Sequence, residues 1–205
     1  KNRDLRIGYL RQVDDIALTD TVWEALLRVF EPVIAMERRL RELEAQMEQN
    51  ADPQTALRLT GEYQRLLDRY NEAEGYAYEG EMLGVLNGLG LKPDMHGRKV
   101  GTLSGGERTR LSLAKLLLQK PDVILMDEPT NHLDLEAIEW LQGYLTEYKG
   151  SLLLISHDRY FLDHVCTTMG EILGGRMIKF TGNYTEYMRK RTADFETRMK
   201  AYNLQ

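Results

Sequence analysis

The stretch "LSGGERTRLSLAKLLLQKPDVILMDEPTNHLD", residues 103–134, contains three elements in a fixed order. A Ser-Gly-Gly turn opens it, a helical pattern follows, and an apolar run at 123–126 ends at the acidic pair Asp127 and Glu128. After another helical pattern comes a second apolar run, "SLLLI", at 151–155. Apolar strands that alternate with helices predict a parallel sheet, and therefore an α/β fold.

The composition is that of a globular chain with a polar surface. Of the 205 residues, 42% are hydrophobic and 29% are charged, which is enough apolar material for a core. The net charge of −5 argues against a surface that binds nucleic acid without specificity. A single cysteine, Cys166, excludes an internal disulfide and favours a reducing, cytoplasmic compartment. No apolar run approaches the roughly 18 residues of a membrane span.

Before the opening stretch, the pattern predicts a strand near 6–10, a helix at 21–30 and then a helical hairpin at roughly 33–75. Apolar residues three and four positions apart place one stripe on each helix of the hairpin, and the break between them carries Asp52 and Pro53. The stripes are Val33, Met36, Leu40, Leu43 and Met47 on the first helix, and Leu59, Tyr63, Leu66, Tyr70 and Ala73 on the second. Two such helices joined by a short turn are expected to bury their stripes against each other.

The acidic pair follows a strand whose carboxyl end should lie at the ligand-binding edge of the sheet. Asp127 is placed there to hold Mg²⁺, directly or through water. Glu128 can orient and deprotonate a water that attacks a phosphate, a role worth about 10²–10⁴-fold in rate. The alternative is a solvated Asp-Glu turn, which the following "TNHLD" makes less favoured.

The Ser-Gly-Gly turn, Ser104 to Gly106, predicts a phosphate cradle. Glycines let backbone N–H groups approach an anion, and the following helix contributes its positive N-terminal end. Ser104 and Glu107 also have the spacing of a helix capping box, and both interpretations can hold together.

His157 lies two residues after the apolar run at 151–155, at a strand end where an imidazole can bind a phosphate and sense its presence. His96, His132 and His164 are interpreted as structural, and no His/Cys spacing indicates zinc. Gln12 follows the first strand, and a glutamine in a loop does not by itself indicate a function.

In this order and spacing, "LSGGE", "VILMDEPTNHLD" and "LLLISHD" resemble the ATP-binding cassette (ABC) superfamily. "DEPTNHLD" and "SHDRYFLDHVC" resemble its ABC-F branch, whose members carry two cassettes and no membrane domain. The resemblance implies a P-loop NTPase-like ABC ATPase cassette, here partial, with an inserted antiparallel helical hairpin. It also implies ATP and Mg²⁺ as cofactors, a second cassette as partner, and a translation factor that binds the ribosome, rRNA and tRNA, in some members with antibiotic resistance.

The resemblance assigns roles position by position. Asp127 becomes the Walker B aspartate and Glu128 the catalytic base, with His157 as the switch histidine. Asp134 becomes the D-loop aspartate, which acts across the interface between cassettes. The remaining positions are the Q-loop glutamine near Mg²⁺ and the signature residues that contact the nucleotide of the opposite cassette: Gln12, Ser104, Gly105, Gly106 and Glu107.

One part of the family pattern is missing from this sequence. A Walker A loop needs a Gly-Lys pair, and the chain contains none. We therefore expect a chain cut from a longer protein, one that alone binds ATP weakly and does not hydrolyse it. The resemblance divides it into a partial core with the Q-loop (1–30), a helical subdomain with the arm-like hairpin (31–100), the signature, Walker B and switch part of the core (101–182), and the start of a helical linker (183–205).

Three other functions remain open at this point. The chain could be the ATP-binding subunit of a membrane transporter, against which the hairpin and "TNHLD" count. It could be the head of a chromosome-maintenance ATPase, whose coiled coils are far longer, or it could act only as a folded scaffold. The charge of the two helical segments does not distinguish between these functions. The arm, 36–74, has six arginines and nine acids, whereas the tail, 185–200, has five basic residues and three acids.

Overall fold

The computed structural model describes residues 5–10, 16–49 and 52–203. The chain divides into two compact units, one formed by Lys1–Leu10 with Asp122–Gln205 and the other by Arg11–Pro121. In chain order the elements are β1 (Ile7–Tyr9), α1 (Val22–Leu27), α2 (Glu31–Gln49), α3 (Pro53–Glu72), α4 (Tyr78–Gly88), α5 (Gly105–Leu118), β2 (Val123–Asp127), α6 (Leu135–Thr146), β3 (Ser151–Ile155), α7 (Arg159–Val165), β4 (Thr168–Leu173), β5 (Arg176–Thr181) and α8 (Tyr184–Asn203). Within the described ranges, no helix is both long and apolar enough to span a membrane.

The first unit contains the predicted parallel sheet, in the order β1-β2-β3. Tyr9 lies opposite Leu125, and Leu125 lies opposite Leu153, so the three strands are in register. Ile124 and Met126 alternate with Leu125 along β2, so they point to the opposite face of the sheet, and both are buried. The same unit buries Phe161 of α7, and the α/β interpretation is confirmed.

The apolar composition of β3 favours a buried strand, but none of its five residues is buried. Leu153 and Ile155 are 59% and 61% exposed, and Ile7 on β1 is 62% exposed. Successive side chains of a strand point to opposite faces, so these residues share one face of the sheet. The described residues leave that face uncovered.

In the second unit, α2 and α3 pack on each other and bury Leu40, Leu43, Leu59 and Tyr70 from the two predicted stripes. Asp52 caps α3 by accepting the Thr55 N–H, and Pro53 occupies its first position, as the sequence predicts. Polar pairs also cross between the helices, with Arg39 on Glu62 at 2.7 Å and Tyr63 on Glu44 at 2.9 Å. The placement of Ala73 on the stripe is wrong, since α3 ends at Glu72 and Ala73 is an exposed cap.

The rest of the second unit is a helical core that holds α5 in place. The helix packs against both α1 and α4. Seven described residues from these three helices are fully buried: Val22, Leu26, Met82, Leu86, Leu111, Ala114 and Leu117. Burial on this scale fixes the axis of α5, and with it the position of the Ser-Gly-Gly turn at its start.

At the C-terminal side, β4 and β5 form an antiparallel hairpin around Gly174 and Gly175, whose φ angles are 55° and 74°. Two positive φ angles in a row are the geometry that glycines adopt at a two-residue hairpin turn. The hairpin contacts α8 at two points. Arg191 of α8 forms an ion pair with Glu171 at 2.6 Å, and the ring of Tyr187 packs edge to face on Phe180.

Candidate functional site

The acidic pair leaves the sheet through an unusual backbone conformation. Glu128 has a φ of +48°, in the left-handed region that residues with a Cβ seldom occupy. Its backbone N–H donates a hydrogen bond of 2.8 Å to the carbonyl of Ile155, at the end of the neighbouring strand β3. Such a conformation costs about 1–2 kcal/mol and is found mainly where surrounding structure fixes it, often at functional sites.

The carboxylate of Glu128 reaches the residue that lies two positions after β3. Its Oε2 accepts a hydrogen bond of 3.2 Å from the backbone N–H of His157. Its Oε1 lies 3.6 Å from Nε2 of the same residue, and is buried without a hydrogen-bond partner among the described residues. The side chain of Glu128 is 24% exposed, whereas that of His157 is 97% exposed. The structure therefore brings the two predicted catalytic residues together.

Asp127 is the last residue of β2 and lies opposite Ile155 in the sheet register. It is exposed at the carboxyl end of the strand, where a ligand can reach it. The described part of the chain contains no group of three or more side chains that could hold a metal ion. Asp127 alone suits Mg²⁺, which proteins bind through one or two carboxylates, with the other ligands from water and substrate phosphates.

Asp134 caps a helix at the end of the same loop. Its Oδ1 accepts a hydrogen bond of 2.9 Å from the N–H of Ala137 in the first turn of α6. Between Glu128 and Asp134 the loop is closed by its own backbone, with the Asn131 N–H on the Glu128 carbonyl at 3.2 Å. His132 within it has a φ of +67°. Asp134 is exposed, so its second oxygen is accessible.

In the second unit, the Ser-Gly-Gly turn forms the N-terminus of α5. Ser104 caps the helix by accepting the Glu107 N–H, and Glu107 accepts the Ser104 N–H at 2.6 Å, so the predicted capping box is confirmed. A Cβ added at Gly105 would meet no atom within 4 Å. The chain's own packing therefore does not require a glycine there, and the open space leaves the helix end accessible to an anion.

Sequence reasoning missed Arg98, which lies six residues before the turn and outside any motif. Its Nη1 is 3.3 Å from Oε1 of Glu107, and its Nη2 donates to the carbonyl of Thr102 at 3.2 Å. The hydrogen bond from the Ser104 backbone lowers the pKa of Glu107, and the charge of Arg98 lowers it further. Glu107 is therefore an anion with both oxygens engaged.

The predicted site residues are divided between the two compact units. Asp127, Glu128, Asp134 and His157 belong to the first unit, and Ser104 to Glu107 belong to the second. Gln12 lies outside the described residues.

Two of the histidines interpreted as structural have contacts in keeping with that role. A ring nitrogen of His96 is hydrogen-bonded to the Leu91 carbonyl, and the ring stacks on Trp23. A ring nitrogen of His164 is hydrogen-bonded to the Tyr160 carbonyl in the same way.

An acidic pair after one strand, a histidine after the next and a capped Ser-Gly-Gly turn are features of one class of protein. Residues 1–131 match the sequence family described as "ABC transporter", so the chain belongs to this family of ATP-binding cassettes.

Within the family, the chain is similar to proteins of the ABC-F branch. It is 34% identical to ABC transporter F family member 5 of Arabidopsis thaliana over 98% of the chain and 29% of that protein. It is 37% identical to the energy-dependent translational throttle protein EttA of Escherichia coli K12, over 92% of the chain and 33% of that protein. It is 34% identical to the tylosin resistance ATP-binding protein TlrC of Streptomyces fradiae, over 96% and 36%. The chain thus spans about a third of the length of these relatives.

Solved structures support the fold. The structure of an ATP-binding subunit of an ABC transporter superposes with a TM-score of 0.57 over 86% of this chain and 59% of that one, at 17% identity. At this identity the likeness establishes the cassette fold and no more.

Proposed function

We propose that this chain is part of an ATP-hydrolysing cassette in a translation factor of the ABC-F type, which acts on the ribosome in the cytoplasm. Its similarity to the F family member and to the throttle protein supports the branch. The contact between Glu128 and His157 is the observation that carries the chemistry. In this proposal 1–30 and 101–182 form the core, 31–100 the helical subdomain with the arm-like hairpin, and 183–205 the start of the linker.

The catalytic step uses the two oxygens of Glu128 differently. The backbone N–H of His157 holds Oε2, while the buried Oε1 has no hydrogen-bond partner among the described residues and can accept a proton from an attacking water. The exposed imidazole of His157 is free to bind the phosphate that is cleaved. Asp127 holds Mg²⁺, which when bound neutralises charge that develops on the phosphate oxygens.

The remaining residues act with a second cassette, either in the same longer protein or in a second copy. Ser104, Gly105, Gly106 and Glu107 contact the nucleotide held by that cassette, with the N-terminus of α5 directed at its phosphates. Asp134 contacts the partner through the oxygen that does not cap α6. Gln12 completes the Mg²⁺ and water site.

Binding to rRNA and tRNA is proposed from the relatives, because charge supports it only weakly. In the arm, Arg39, Arg41 and Arg58 are in ion pairs with glutamates of the same hairpin. In α8, Arg191 pairs with Glu171 and Lys190 donates to the Thr181 carbonyl. The similarity to a tylosin resistance protein supports ribosome protection as one form that the function takes.

The test is ribosome co-sedimentation with the full-length product of the gene that carries this chain. Glu128→Gln should block hydrolysis and trap the ATP-bound closed state, so the variant should pellet with ribosomes in the presence of ATP and not in its absence. Glu139→Gln, an exposed carboxylate on α6, is the matched control and should hydrolyse ATP normally. Normal hydrolysis by Glu128→Gln would exclude it as the base, and failure to pellet under both conditions would exclude the ribosome as partner.

We further propose that the 205-residue chain by itself binds ATP weakly and does not hydrolyse it, because its sequence lacks the Gly-Lys pair of a phosphate-binding loop. Calorimetric titration of this chain with Mg-ATP tests the idea, and tight stoichiometric binding would contradict it.

A further inference from the structure

The signature turn carries a negative charge at the end of the helix where a phosphate is proposed to bind. The carboxylate of Glu107 lies in the first turn of α5, with Oε2 on the Ser104 backbone N–H at 2.6 Å. An anion stabilises a helix N-terminus, but it also repels a second anion that approaches the same place. With 19% of its side chain exposed, Glu107 is only partly screened by solvent.

Arg98 supplies the compensating charge. Its Nη1 lies 3.3 Å from Oε1 of Glu107, the oxygen that does not accept the Ser104 N–H. The same guanidinium is anchored by the carbonyl of Thr102 through Nη2, two residues before the turn. A planar guanidinium can hold two acceptors at once, which fixes both the charge and the orientation of the carboxylate.

We propose that Arg98 is a positioning residue for nucleotide binding: it neutralises Glu107 and holds it on the Ser104 backbone, so that the N-terminus of α5 can receive a phosphate. This inference rests on the proposed function. It goes beyond the signature motif, since Arg98 lies outside it and acts through Glu107.

A double-mutant cycle in the full-length gene product separates this role from a purely structural one. Arg98→Ala should raise the KM for ATP by roughly two- to fivefold, the range expected for a partly exposed ion pair. Glu107→Gln keeps the helix cap, because glutamine also serves at this position of a capping box. In the Glu107→Gln background, adding Arg98→Ala should leave KM unchanged. Lys99→Ala removes an exposed neighbouring charge and should leave KM unchanged in both backgrounds.

A second readout uses the 205-residue chain and does not depend on activity. In a carbon-13 NMR titration, Arg98→Ala should raise the pKa of Glu107, because the nearby positive charge is lost. An unchanged pKa would overturn the proposal, as would an equal rise in KM in both backgrounds, which indicates that Arg98 acts only through Thr102.

The same kinetics distinguish failure of this inference from failure of the proposed function. If Glu128→Gln abolishes hydrolysis while Arg98→Ala has no effect that depends on Glu107, the inference alone is wrong. If the full-length protein hydrolyses ATP independently of Glu128, or does not hydrolyse it, the proposed function fails and the inference falls with it.

Discussion

The backbone N–H of His157 donates a hydrogen bond of 3.2 Å to the carboxylate of Glu128, and so joins the residues that follow two neighbouring strands. The backbone N–H of Glu128 donates a second hydrogen bond between the same two segments, to the carbonyl of Ile155 at 2.8 Å. Because the donor to the carboxylate is a main-chain group, the position of the carboxylate depends on the path of the backbone after β3 and does not require the imidazole. This arrangement separates the side-chain role of His157 from its backbone role.

Replacement of His157 by alanine should therefore leave the fold intact and remove activity. The imidazole is 97% exposed, so the free energy of unfolding of the chain should change by no more than about 0.5 kcal/mol. In the full-length protein, loss of a phosphate-binding donor should lower kcat by about 10²-fold or more. Denaturant titration and steady-state kinetics measure the two quantities. A kcat that survives the substitution would remove His157 from the catalytic step.

The left-handed backbone at Glu128 predicts an unusual order of stability. Glycine is destabilising relative to alanine at most positions, but at a φ of +48° it avoids the steric cost of a Cβ. The variant Glu128→Gly should therefore be more stable than Glu128→Ala by about 1 kcal/mol in urea denaturation. The reverse order would mean that the residue has an ordinary backbone conformation in solution.

The cap at Ser104 should contribute measurably to the stability of the chain. Ser104→Ala removes the acceptor of the Glu107 N–H and should lower the free energy of unfolding by about 1 kcal/mol. Ser112→Ala, in the interior of the same helix, is the matched control and should be neutral or slightly stabilising, because alanine is the better helix former. Equal losses in both variants would argue against a capping role.

Gly75 allows a close packing contact at the end of the helical hairpin. The buried hydroxyl of Tyr70 donates to the Gly75 carbonyl at 2.8 Å, and a Cβ at Gly75 would overlap with the tyrosine ring. Gly75→Ala should therefore cost about 1–3 kcal/mol.

The control for this prediction is Gly84→Ala. A Cβ at Gly84 in α4 meets no atom within 4 Å, so alanine there should stabilise the chain by about 0.5–1 kcal/mol. Thermal unfolding of both variants should give opposite shifts in the midpoint. Shifts of the same sign would show that the tyrosine ring moves aside without cost.

Acid should release the contact between α7 and the start of α8. Asp163 accepts hydrogen bonds from the side chain and backbone of Thr185, and the side-chain bond is the main reason that its pKa lies below the ordinary 3.8. A carboxyl with a lowered pKa contributes stability that is complete above its unfolded value and is lost as the pH falls through its folded value. Asp163→Asn should therefore be less stable than the parent chain at pH 7, and the difference should shrink below pH 3.8.

Melting temperatures of Asp163→Asn and of the parent chain, measured at a series of pH values, test whether the difference in stability shrinks in acid. A difference between Asp163→Asn and the parent chain that stays constant from neutral to acid pH would mean that the charge of Asp163 contributes nothing to the contact.

Much of the fold followed from local patterns, because those patterns are themselves the cause of the local structure. The apolar run at 151–155 became a strand with the same bounds, and Ser104 and Asp52 became the helix caps that their side chains favour. Prediction failed where the chain left a pattern that the side chains still continued. Ala73 continued the helical spacing, but the chain turned at Glu74, whose φ is +53°.

The sequence by itself determined which residues carry the proposed chemistry: an acid after one strand, a histidine after the next and a Ser-Gly-Gly turn before a helix, each defined by side-chain type and spacing. Only the tertiary structure decided how they are held. The left-handed turn at Glu128, the hydrogen bond from the His157 backbone to its carboxylate and the approach of Arg98 to Glu107 join groups whose geometry no local pattern encodes. Such contacts depend on strand register and on helix packing, which are settled by burial of side chains distant in the sequence.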